Sequence, residues 1–102
     1  MSIGWEESYT GGLRNRIGHD PLIVPSVRAI IQDDKGRVLF LKGESWVMPA
    51  GSIELNESIY DTLKREVKEE VGIDVLSATV IAIYTSKPVM TNKFNDQYQM
   101  FE

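Results

Sequence analysis

An α/β domain is what this sequence predicts, and three observations predict it. Runs rich in apolar and β-branched residues cover positions 22–32, 37–42 and 73–85, as strands require. Between the second and third lies one sharply patterned helix, with Ile59, Leu63, Val67 and Val71 at every fourth position forming an apolar ridge. A weaker helical spacing, Trp5, Tyr9, Leu13 and Ile17, opens the chain. At 102 residues the chain is one domain at most. It can bury roughly two-thirds of its unfolded surface, enough for one core.

The first helix should end near Gly18 and is weakened by Gly11-Gly12 in its middle. Arg14 and Arg16 read as its solvated face ahead of phosphate contacts. His19, beside Asp20-Pro21, reads as a turn residue. Residues 22–32 form a strand with Pro25 near its start, and Asp33-Asp34-Lys35-Gly36 is a tight turn that Gly36 closes. Residues 37–42 return, so 22–42 is a predicted hairpin. Arg28 lies mid-strand, where a cleft phosphate and an exposed strand face are equal alternatives. Trp46 is expected to pack against the strands, and residues 46–52 run from a short strand into a loop.

Ser58 and Asp61 have the spacing of a capping box, and Gly72 suits the left-handed residue that closes a helix. Residues 73–85 read as one long strand bent around Leu76-Ser77, residues 86–96 as a polar loop, and residues 97–102 as the start of another strand. Tyr84, Phe94 and Tyr98 are expected in the core ahead of any role in stacking on a base.

Chemistry concentrates on the central helix. Glu66, Glu69 and Glu70 stand at i, i+3 and i+4, so their side chains share one face. Like charges so placed cost a few tenths of a kcal/mol per pair. Lys64 and Lys68 point to nearly the opposite side, and the spacing shows nothing on the acidic face to offset it. Such a face expects a cation. The loop before the helix can bring backbone carbonyls close to it.

Net charge is −4, which argues against a nucleic-acid polymer as partner. An acidic protein acting on phosphates needs metal ions to bring them in. The absence of cysteine excludes disulfides, zinc-thiolate sites and thiol nucleophiles. No apolar run approaches the ~20 residues of a membrane span, and no signal pattern opens the chain. Cytoplasmic location, with no membrane partner, is the resulting expectation.

Residues 51–73, GSIELNESIYDTLKREVKEEVGI, resemble the signature of the Nudix (MutT-like) hydrolases, G-x5-E-x7-R-E-U-x-E-E-x-G-U, where U is a bulky aliphatic residue. Gly51, Glu57, Arg65, Glu66, Val67, Glu69, Glu70, Gly72 and Ile73 occupy all nine specified positions. The resemblance implies an α/β/α sandwich with a mixed β-sheet. That fold continues with further strands and a second large helix, so the chain reads as a domain truncated at its C-terminus. The sheet face and strand edge then left open favour pairing with a second copy, a homodimer.

The implied activity is hydrolysis of the pyrophosphate bond in a nucleoside diphosphate linked to another moiety, by water attack on phosphorus. Oxygen ligands of this type select Mg²⁺ or Mn²⁺. By resemblance, Glu66, Glu69 and Glu70 are the metal ligands, with the Gly51 carbonyl as a further one. Glu69 or Glu66 serves as base, and Arg65 pairs with Glu57 or Glu69 to hold the loop against the helix. ADP-ribose, dinucleoside polyphosphates, oxidised nucleoside triphosphates and nucleotide sugars all remain open as substrates. Two alternatives are a non-hydrolytic nucleotide sensor, disfavoured because no signature glutamate is lost, and an inactive self-associating fragment.

Overall fold

The strand-prone run that begins at residue 22 becomes the middle of a mixed sheet. The computed structural model describes residues 4–102; the first three residues of the segment predicted as helical lie outside them. A 3-10 turn (Trp5–Glu7) leads into α1 (Tyr9–Ile17), β1 (Leu22–Arg28), β2 (Leu41–Lys42), β3 (Trp46–Val47), β4 (Ala50–Ser52), α2 (Ile59–Val71), β5 (Met90–Thr91) and β6 (Gln97–Phe101). The larger sheet has the order β4-β1-β6-β5. β1 runs antiparallel to β4, with Val27 opposite Gly51, and parallel to β6, with Val24 opposite Met100. β5 is antiparallel to β6.

Burial is sparse and centred where α2 crosses β1 and β4. Val24, Ala29, Pro49 and Val67 are the buried apolar side chains among the described residues, with Val67 only 1% exposed. Thr62, on the same helix, is fully buried. The ridge on α2 is therefore only partly used: Ile59 is 53% exposed, and Leu63 and Val71 are half-buried. A row spaced by four residues rotates about 40° per step around a 3.6-residue helix. Val67 faces the sheet, and the far end of the row turns away from it.

Several expected strands form differently. The hairpin tip is present: Leu39 N–H donates to the Ile31 carbonyl at 2.9 Å and Asp33 N–H to that of Arg37 at 3.0 Å. The Asp33 carboxylate fastens the turn by accepting from the Lys35 and Arg37 amides, both at 2.9 Å. Yet β1 stops at Arg28, and Ala29 N–H turns to the Pro49 carbonyl at 2.8 Å. Both edges of β1 are already taken by β4 and β6, so the returning segment pairs locally instead, β2 with β3.

The long strand predicted over 73–85 is absent. Only its end joins the sheet, where Tyr84 and Glu102 exchange backbone bonds at 2.7 and 3.0 Å and Ser86 N–H reaches the Met100 carbonyl at 3.0 Å. β-propensity measures fit to a pleated surface, and residues 76–83 meet no strand partner among the described residues. Leu76, Ile81 and Ile83 are 91%, 74% and 69% exposed. The radius of gyration, 14.4 Å, exceeds the ~13 Å of a compact chain this long, as such a projecting segment requires. The core placement expected of Tyr84 and Phe94 also fails, both being exposed, and Trp46, expected to pack against the strands, stands exposed on β3. Lys42 lies over the Trp46 ring and Lys93 over that of Phe94, while Tyr98 is half-buried in β6.

α1 is capped by Ser8, whose Oγ accepts from Gly11 N–H at 3.0 Å, and it ends at Gly18 as expected. Arg14 is no solvated residue. Its guanidinium donates to the Asp20 carbonyl at 2.7 Å and to the Gln97 carbonyl, tying α1 to β6. His19 Nδ1 lies 2.8 Å from the Asp96 carboxylate, anchoring the turn. No helix among the described residues is long and apolar enough to cross a membrane.

If Val67 is the keystone of this small core, Val67→Ala should cost about 2 kcal/mol from lost transfer energy and cavity. Ile59→Ala should stay within about 0.5 kcal/mol. Urea unfolding of the two variants reads the difference; equal losses would mean that the ridge is buried along its whole length.

Candidate active site

The extent of α2 is set at its ends. Ser58 Oγ accepts from Asp61 N–H while the Asp61 carboxylate accepts from Ser58 N–H, each at 3.0 Å, so the predicted capping box forms. Gly72 adopts φ 77°, the left-handed conformation that closes the helix. Lys68 pairs outward with Asp74 at 3.0 Å and Lys64 lies over Tyr60, both away from the acids.

Glu66, Glu69 and Glu70 border one cleft of about 410 Å³ together with Arg65, Ser52, Glu54 and, from the N-terminal segment, Trp5, Ser8 and Thr10. The structure thus brings all three predicted carboxylates to one place. It also corrects the expectation that nothing offsets them. Arg65 grips Glu57 through Nε to Oε2 at 2.6 Å and through a terminal nitrogen to Oε1 at 2.8 Å. Its other terminal nitrogen donates to Glu66 Oε1 at 2.6 Å and lies 3.6 Å from Glu69 Oε2. A further bond reaches the Ser52 carbonyl at 3.1 Å. Helical spacing fixes where a Cα lies, but not how a five-donor side chain folds back over its neighbours.

Glu57 is saturated with donors: besides Arg65, its Oε1 accepts from Glu54 N–H and from the hydroxyl of buried Thr62, both at 3.0 Å. The Arg65 hydrogen bond, helped by these two, holds the Glu57 carboxyl down at about 2. In return, Glu57 raises the Arg65 guanidinium above its ordinary value, with Glu66 adding to it. Burial pushes the Glu66 carboxyl up; Arg65 opposes this, and the neighbouring Glu69 adds to it. Glu70 is raised by burial and by Glu66, while its Oε2 accepts from Ala50 N–H at 3.1 Å.

Two features fit this cleft to a hard cation. Glu69 Oε1 is buried with no hydrogen-bond partner among the described residues, a lone pair set out of water that these groups leave unused. Gly51 supplies the second: a Cβ there would lie 2.0 Å from Glu66 Cδ and 2.2 Å from Oε1. Only glycine lets the Glu66 carboxylate lie against β4. With Glu66 turned to Arg65 and Glu70 to Ala50, no three acidic or histidine groups among the described residues converge on a single point.

Other candidates separate from this cluster. Arg28, left open between a phosphate contact and an exposed face, donates from Nε to Glu102 Oε1 at 2.8 Å, and Ser26 Oγ donates to the other Glu102 oxygen at 3.1 Å. Burial pushes the Glu102 carboxyl up, but the hydrogen bond and charge of Arg28, with Ser26, outweigh it and hold it below its usual range. Sequence reasoning missed Thr62, Glu54 and Trp5. Thr62 carried a faint signal, a polar residue five positions from Glu57 and flanking the apolar ridge; Trp5 carried only its place in the helical spacing of the N-terminal segment, and Glu54 none.

The Glu57 shift has a definite sign. A carboxyl lowered from 4.5 to about 2 stabilises the fold fully above its unfolded value and loses that contribution as pH falls through the folded one. Raised Glu66 and Glu70 act oppositely, their cost being relieved on acidification. The difference in Tm between the wild type and Glu57→Gln should therefore be widest near neutrality and close as pH falls from about 4.5 toward 2. A gap independent of pH in thermal unfolding would show that the Arg65 pair contributes no stability.

The NUDIX domain model matches residues 22–101 of the chain. RNA pyrophosphohydrolase from Halorhodospira halophila is 40% identical over 60 residues, 56% of this chain and 33% of that protein. The protein of the same name from Saccharophagus degradans is 36% identical over 63 residues, 58% of this chain and 37% of its own. An 8-oxo-dGDP phosphatase from Danio rerio is 37% identical over 68 residues, 61% of this chain and 21% of its own. The matched segment thus spans little more than a third of these relatives at most. The family match, by contrast, runs from the first residue of β1 to the last of β6 and so takes in the mixed sheet, α2 and its acidic face: the chain belongs to the NUDIX domain family.

Proposed function

We propose that this chain carries the site of a divalent-cation-dependent hydrolase that cleaves a pyrophosphate linkage in a nucleoside diphosphate derivative. The observation that carries the reading is the buried Glu69 Oε1, without a partner among the described residues, in a cleft shared with Glu66 and Glu70. Glu66, Glu69 and Glu70 would hold the ion, with the Gly51 carbonyl as a further donor; all are hard oxygen ligands suited to Mg²⁺ or Mn²⁺. When bound, such an ion neutralises charge on the phosphoryl oxygens and acidifies water.

The chain's own residues supply the rest. Arg65 pins Glu66 and, through Glu57, the loop after β4; to share an ion with Glu69, Glu66 would turn from Arg65 and Glu70 from the Ala50 amide. Glu69 or Glu66 would accept a proton from the attacking water. The relatives named RNA pyrophosphohydrolase and 8-oxo-dGDP phosphatase support pyrophosphate chemistry on a nucleotide. They also add a pyrophosphate group carried by RNA to the substrates worth testing.

We further propose that copies of the chain associate through residues 76–83, whose apolar side chains and backbone lie open. Light scattering should then give the mass of a dimer; a monodisperse monomer refutes this.

With Mg²⁺ or Mn²⁺, hydrolysis should appear against a panel of nucleoside diphosphate derivatives. Glu69→Gln should lower it by at least about 100-fold, the scale expected when one ligand and proton acceptor is removed. Gly51→Ala should act in the same direction by displacing Glu66. Turnover insensitive to chelation and to Glu69→Gln would overturn the reading.

A further inference from the structure

We infer that Trp5 is the stacking wall of the cleft, the side chain that selects substrates carrying an aromatic base beside their diphosphate. This inference rests on the pyrophosphohydrolase reading above and adds to it the group that would hold the base.

Tryptophan is highly buried on average, yet the Trp5 side is open: the residue is 59% exposed and borders the same cleft as Glu66, Glu69 and Glu70. No other aromatic residue borders that cleft among the described residues. The second tryptophan, Trp46, stands elsewhere, on β3 under Lys42. The cleft therefore has an acidic side and one aromatic residue on its border, where a cation-bound diphosphate and its base could respectively be received.

Exposure alone does not make a binding wall. What distinguishes Trp5 is that its backbone is held while its ring is open. The Trp5 carbonyl accepts from Ser8 Oγ at 2.7 Å and from Ser8 N–H at 3.2 Å. Ser8 Oγ in turn accepts from Gly11 N–H. Gly11 is required for this fold-back, since a Cβ there would lie 1.7 Å from the Trp5 oxygen. The glycine that looked like a helix weakener is thus the residue that seats the tryptophan.

The wall is also fastened to the acidic face. Tyr9 N–H donates to Glu54 Oε1 at 2.7 Å, Glu54 N–H donates to Glu57 Oε1 at 3.0 Å, and Glu57 is gripped by Arg65. The two sides of the cleft form one hydrogen-bonded assembly, so a ligand spanning them need not order either. Stacking on tryptophan tolerates any base because each has a π-face. Trp5 should then separate nucleotides from base-free diphosphates without choosing among bases.

The test uses the Trp46→Phe protein, in which emission comes from Trp5 alone, titrated in Mg²⁺ with ADP, GDP, inorganic pyrophosphate and ribose 5-phosphate. ADP and GDP should quench the emission; pyrophosphate and ribose 5-phosphate should not. By calorimetry, Trp5→Leu should weaken Mg²⁺-ADP binding about tenfold and leave pyrophosphate binding unchanged, while Trp5→Phe should restore most of the loss. Binding of ADP with neither quenching nor sensitivity to Trp5→Leu overturns the inference and leaves the hydrolase reading standing. Quenching by ADP in a protein that hydrolyses nothing in the panel sustains the wall and overturns the hydrolase. Failure of ADP to bind at all overturns the wall, and metal-dependent hydrolysis in the panel then decides the hydrolase separately.

Discussion

The Arg65–Glu57 pair is the constraint on which the site depends. α2 carries three carboxylates over one turn, an arrangement that repels itself and lowers the helix's own stability. Arg65 answers that cost from within the same helix, through bonds to Glu66 and an approach to Glu69. It remains there because Glu57, from the loop before the helix, holds it with two bonds. Exposed ion pairs contribute little, but this one is largely shielded, bidentate and completed by Thr62 and the Glu54 amide. Its geometry gives rigidity to a part of the chain that has little apolar core.

That scarcity of core explains the plan of the molecule. Four apolar side chains are buried among the described residues, Val24, Ala29, Pro49 and Val67, so polar ties do much of the joining. Arg14 fastens α1 to β6, Arg28 fastens β1 to Glu102, and Glu54 fastens α1 to the loop before α2. Of these ties only that of Glu54 lies at the cleft; the other two fasten the inner strands β6 and β1. The cleft itself is built by hydrogen bonds and charge, with Val67 and Val24 serving as the support beneath it. The apolar residues of 76–83 stand in solvent, a strand-forming sequence with no strand to join among the described residues.

Glycine appears twice as an enabling residue, for the same steric reason. At Gly51 the missing Cβ makes room for a carboxylate against β4, and at Gly11 it makes room for the Trp5 carbonyl. Neither has a left-handed conformation, so neither would be found by looking for turns. What each supplies is close approach.

By itself the sequence determined the local structure: the α2 span, its capping box, the Gly72 stop, the Asp33–Gly36 turn and the common face of Glu66, Glu69 and Glu70. All of these depend on residues within a few positions of one another, where periodicity and capping chemistry decide. The long strand over 73–85, the packing of Trp46 and the core placement of Tyr84 and Phe94 did not follow, because a strand and a core position both need a partner from elsewhere in the fold. Only the tertiary structure decided that β1 lies between β4 and β6, that Arg28 pairs with Glu102 and that Arg14 is buried. It alone brought Trp5 to the acidic cleft, through a bond between Tyr9 and Glu54. Such contacts join residues dozens of positions apart, and their distances are set by how helices and strands pack, which no local pattern encodes.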